Sequence, residues 1–312
     1  MPMSSLFLSR PLSSPFTRAL PLLLLTALAA GAYAKSSSGE LAPIATAAEP
    51  AAPWWSAFRE PALVELQQAA AANASQATAP LLARADDASD APLDIQVASD
   101  YLGMRLLNVR AMLADEMLRT IARQRVLMAG TAPLRTQTPP LAALDSELTQ
   151  ARRRVEELTA NRDTLIADLA RLCGTTPDAL RARLQQVLAD SSLPALDLAT
   201  PAGAPIAARS SDVFEDLQVR DLEARQHRVR QLTEQTRTWL EIVRTRQLEL
   251  EAARQRMALG AQPEFSVLAT YRVMLVDNDR LADSVSELAK AWLQLHLQDA
   301  ARPLQASGRL SD

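Results

Sequence analysis

Residues 254–300 read RQRMALGAQPEFSVLATYRVMLVDNDRLADSVSELAKAWLQLHLQDA. An amphipathic run stops at Gly260, the chain turns through Ala261, Gln262 and Pro263, and a second amphipathic run begins. In that second run Val267, Met274, Leu281, Leu288 and Leu295 recur every seven residues, and Tyr271, Val285 and Trp292 each follow one of them by four. An apolar stripe of this period holds one helix face against a neighbour over many turns, which marks a coiled-coil or bundle helix. The run before the turn has the same character, because Leu222, Val229, Thr236, Val243, Leu250 and Met257 also fall at steps of seven. At 1.5 Å per residue, an unbroken helix from Asp212 to Leu259 would span roughly 70 Å. The stretch predicts a long helical hairpin with a tight Gly/Pro elbow.

A similar grammar occurs earlier in the chain. From Leu93 to Met128 a helical run carries Tyr101, Met104, Leu107, Met112, Leu118 and Ile121 among its apolar positions, and it ends at Gly130. Thr131 to Pro140 is a Pro/Thr loop. Then Leu141, Leu144, Leu148, Ala151, Val155, Leu158, Arg162, Leu165, Leu169 and Leu172 alternate steps of three and four. Arg162 alone breaks the stripe, so it is expected either to make a polar register-setting contact or to mark a point where the seam meets water. Arg152 and Arg153 stand four residues before Glu156 and Glu157, the pattern of a solvated outer face. Long helix, glycine, loop, proline, heptad helix thus occurs twice, a weak internal repeat. The expected fold is all-α: two long antiparallel helical hairpins, coiled-coil-like and related by that repeat, with no membrane β-barrel evident. Hairpins this long bury little on their far sides, so packing against further copies is expected.

Composition agrees. The 312 residues include only 8 Gly and 4% aromatics, which suits long helices better than sheets. A net charge of −3, from 33 basic and 36 acidic residues, gives no field for nucleic acid, and no basic run is interleaved with aromatics.

The remaining segments divide the chain. Residues 1–34 have the anatomy of a cleavable secretory signal: Arg10 and Arg18, the apolar run Ala19 to Ala30, then Ala32-Tyr33-Ala34 before a cut at Lys35. The alternative is an uncleaved anchor; no Cys lies near the cut to carry a lipid. Residues 35–53 form a Ser-, Ala- and Pro-rich leader expected to be disordered. Residues 54–92 form an N-terminal anchor and linker, in which Trp54, Trp55 and Phe58 cluster ahead of a short helix with Leu63 and Leu66 that runs to Asn73. That cluster is expected to dock on the flank of the bundle. Residues 93–190 hold the first hairpin, its end marked by Gly174 and by a short helix from Ala179 to Leu188 with Pro177 at its start. Residues 191–211 are a Pro-rich linker, 212–300 the second hairpin, and 301–312 a tail.

Residues capable of chemistry are sparse. Cys173 is the single cysteine, which excludes an intramolecular disulfide and a multi-cysteine metal site, and it reads as a small buried thiol. His227 and His296 are isolated on long helices without a partner at ligand spacing. Asp277-Asn278-Asp279 lacks the glycine and the distal Glu of a cation loop and reads as a solvated charge run. No phosphate loop or nucleophile elbow is present. Neither an enzyme nor a bound metal or cofactor is expected.

Several segments, in order, resemble the outer membrane efflux protein (TolC-like) family. Trp54-Trp55-x-x-Phe58-x-x-Pro61-x-Leu63-x-x-Leu66, running on to Asn73, looks like its mature N-terminus. Leu165 to Gly174, followed by Pro177, resembles its leucine-rich helix end, and Gly203-x-Pro205 with Asp212-Val213 its mid-chain linker. Met257-Ala258-Leu259-Gly260 with Phe265-x-Val267-Leu268 and Arg272-x-x-Leu275 resembles the glycine turn that opens its last helix. The resemblance implies a homotrimer with a periplasmic tunnel of α-hairpins, working in efflux with a periplasmic adaptor and an inner-membrane pump. The sequence departs from the family where each half inserts a β-hairpin for the membrane barrel. Barrel strands need about ten residues of alternating polarity, and no such segment is found.

The expected function is a component of an envelope efflux or export system, forming a periplasmic helical conduit or an accessory docking surface. The alternative is a periplasmic coiled-coil scaffold without transport activity. Either way the chain is expected to be exported, periplasmic or associated with the outer membrane. The candidate partner or oligomer contacts are Trp54, Trp55 and Phe58, with Gly130, Leu141, Gly260, Pro263 and Phe265 at the elbows.

Overall fold

The computed structural model describes residues 58–77, 92–130, 141–194 and 213–301, and within them the fold is all-α. Seven helices follow in order: α1 Pro61–Ala77, α2 Leu93–Gly130, α3 Leu141–Leu172, α4 Pro177–Arg183, α5 Gln185–Ala189, α6 Val213–Ala258 and α7 Glu264–Ala301. No strand occurs among the described residues. The signal, the leader, Trp54, Trp55, the loop 131–140 and most of the linker and tail lie outside them.

Four long helices form the body. The first hairpin packs α2 on α3, the second packs α6 on α7, and α2 lies against α7, giving the lateral order α3, α2, α7, α6. The seven-residue stripes form the hairpin seam as expected: Val229, Thr236, Val243 and Leu250 are buried on α6 and Val267, Leu281, Leu288 and Leu295 on α7. With 46 residues, α6 is about 70 Å long. Helix-forming residues and an apolar stripe sustain such lengths, but the packing of that stripe supplies most of the stability.

The short helices gather at one end of this body. There Phe58, Leu63 and Leu66 of the N-terminal segment meet Val97, Tyr101 and Met104 of α2, Ile166 and Leu169 of α3, Leu180 of α4 with Leu184 just after it, and Ala289 and Leu293 of α7. This is the largest core, and each of its large side chains stabilises the fold by about 1.5–3 kcal/mol through burial. The short helix expected after Gly174 is two, α4 and α5, hinged at Leu184; Thr176 caps α4, its Oγ1 accepting from the Ala179 amide. The anchor helix runs past Asn73 to Ala77. Asn73 itself donates through Nδ2 to the Leu172 carbonyl at 3.0 Å, tying α1 to the end of α3.

Two glycines stop helices by the same device. Gly174 and Gly260 have φ of 64° and 71°, and the amides that follow bond back to Ala170 and Arg256, both at 2.9 Å. Gly130 differs: it is the last residue of α2 and has no left-handed backbone. The two halves of the repeat therefore end their first helices by different means.

Candidate interaction surfaces

The elbows lie together at the end of the body away from the large core. Arg123, near the end of α2, donates through Nε to Glu264 Oε1 at 2.8 Å at the start of α7, which brings the two hairpin ends side by side. At the second elbow Gly260 has open space around it and Pro263 is exposed, while Phe265 is half-buried. Gln262 stiffens the turn, accepting from Arg256 Nε and donating to Ser266 Oγ, both at 2.8 Å. At the first hairpin end Gly130 is exposed with open space, and Leu141 is 42% exposed. The structure adds Leu259, 84% exposed, and Val126, 58% exposed, to this apolar end. Leu259 sits two residues beyond Met257, off the seven-residue stripe, a signal that was present in the sequence.

Phe58, named among the candidate contacts, packs within the chain's own core. Its ring is 1% exposed and meets Trp292 edge-on, with centroids 4.8 Å apart and an interplanar angle of 74°. It anchors the N-terminal segment to the chain's own core, as the flank docking anticipated.

The seams hold a correction. Asp277-Asn278-Asp279 is no solvated run: Asp277 is 5% and Asn278 6% exposed. Asp277 accepts from Arg246 Nε of α6 at 3.0 Å, and Asn278 donates to the Met274 carbonyl at 2.8 Å. Asp279 takes Arg110 of α2 in a two-point grip, and Arg110 also reaches Asp283 at 2.9 Å. These carboxylates hold helices together. Toward the elbows Arg272 of α7 donates to Gln124 Oε1 of α2 at 3.0 Å and also pairs with Glu147 of α3.

Arg162 does make a register contact. Its Nη1 donates to Asn108 Oδ1 at 3.1 Å, and Asn108 Nδ2 donates to the Leu188 carbonyl at 2.9 Å. Beside it Arg105, 3% exposed, donates to the Val187 carbonyl at 2.8 Å, to Asp190 Oδ2 at 3.0 Å and to the Ser192 carbonyl at 3.3 Å. Arg105 and Asn108 thus fix where the chain leaves the first hairpin. Both interrupt an apolar run, Tyr101 to Val109, which was the available sequence signal. On the outer face of α3 the ion pair that forms is Arg154 to Glu157 at 3.2 Å, not Arg152 or Arg153 to the following glutamates.

The residues weighed for chemistry are dispersed. His227 is exposed on α6. Cys173 is half-buried with Sγ 3.7 Å from the Leu66 carbonyl, and burial pushes its thiol pKa up, away from reactivity. Among the described residues no group of three or more His, Cys, Asp or Glu is placed to hold a metal ion. No helix among them is long and apolar enough to cross a membrane.

No protein-family model matches the chain, and no curated protein matches it. Among solved structures it is similar to that of CusC, described for conformational changes accompanying folding and transmembrane channel formation. The identity is 14% and the TM-score 0.45, over 66% of this chain and 77% of that one.

Proposed function

We propose that this chain is an exported relative of the outer membrane efflux proteins, without a strand among its described residues, which assembles with copies of itself into a helical wall or docking surface for an envelope export system. The observation that carries the proposal is the lateral order α3, α2, α7, α6. Among the long helices α3 packs on α2 and α6 on α7, so both outer helices keep a side along which a neighbouring copy can lie. A helix of 46 residues stabilised along one stripe offers a long edge for such a neighbour.

What supports the reading is the ordered set of sequence motifs that resemble that family, together with helical hairpins of the kind the resemblance implies. The action is passive: the helices enclose or dock, and no bond is made or broken. A homotrimer is the assembly implied by the resemblance, with the elbow end, marked by Leu259, Gly260 and Pro263, turned toward an adaptor or pump.

Tagged protein expressed in a Gram-negative host and fractionated tests the proposal. Cleaved protein in the periplasm or outer membrane, a cross-linked ladder ending at a small defined oligomer, and altered drug or metal sensitivity on deletion are expected. A monomer at micromolar concentration overturns the assembly. A defined oligomer whose deletion leaves sensitivity unchanged overturns the export role and leaves the coiled-coil scaffold.

A further inference from the structure

We draw no further inference here: the strongest candidate, the apolar strip of Val273 and Val276 on the open face of α7, 44% and 41% exposed, carries nothing because nothing in the structure shows what covers it.

Discussion

Arg110 on α2 grips Asp279 on α7 with two hydrogen bonds, Nε to Oδ1 at 2.7 Å and Nη2 to Oδ2 at 3.1 Å, and so binds one hairpin to the other. The geometry is the fork-to-carboxylate fit that separates arginine from lysine. Both side chains keep some contact with water, which limits the strength of the pair. Arg110→Lys is expected to lower the unfolding free energy by about 1 kcal/mol, with most of the difference lost in high salt. Urea titrations at low and high ionic strength measure this. An unchanged midpoint at low salt would show that the pair adds nothing.

Arg105 should matter more. Its guanidinium is buried, and removing it strands the Val187 carbonyl and the Asp190 carboxylate in the exit from the first hairpin. Arg105→Ala is expected to cost about 2–4 kcal/mol, somewhat below the figure for a fully buried pair because Asp190 is half exposed. Chemical denaturation reads the loss, and limited proteolysis near residue 190 should accelerate with it. A cost under about 0.5 kcal/mol would assign this exit to the apolar contacts alone.

The two hairpin-end glycines should respond oppositely. Gly260 has φ of 71°, so a side chain there meets backbone strain whatever the space, and Gly260→Ala is expected to destabilise by about 1 kcal/mol. Gly130 is helical with open space around it, and Gly130→Ala should be neutral or stabilise by up to about 1 kcal/mol. Thermal unfolding of the two variants side by side distinguishes them. Equal losses would contradict the different helix endings.

Acidity should favour the fold through Asp100. Burial, and then the nearby Asp168 carboxylate, push its pKa up to about 6 from an ordinary value of 3.8. A carboxyl raised in the folded state favours folding when protonated, so its contribution declines as pH rises from about 4 through about 6. Asp100→Asn is expected to flatten that part of the stability profile and to raise stability at neutral pH. Unfolding midpoints across pH 4 to 8 decide it, and a profile unchanged by the substitution would remove Asp100 as the cause.

Phe58→Ala is expected to cost about 3 kcal/mol, because the ring is buried against Trp292 and a cavity would be left. Near-ultraviolet dichroism should report a changed Trp292 environment together with the lowered midpoint. A signal unaltered in the folded variant would argue against the edge-on contact.

The sequence by itself determined the long elements. Steps of seven from Leu222 to Met257 and from Val267 to Leu295 specify helix faces wherever the hairpins lie, since periodicity depends only on which residues share a face. Glycine stops were legible for the same local reason at Gly174 and Gly260, where only a residue without Cβ turns left-handed at little cost. Gly130 showed the limit of that reasoning, because a glycine can end a helix without leaving it. What only the tertiary structure decided was the partner of each polar group. Asp277 and Asp279 look solvated along the chain, yet Arg246 and Arg110, 31 and 169 residues away, lie across their seams. Ion pairing over such separations depends on which helices become neighbours, and no local period encodes that. The lateral order α3, α2, α7, α6 arises at the same level: heptads say that each helix needs a neighbour, and packing settles which neighbour it has.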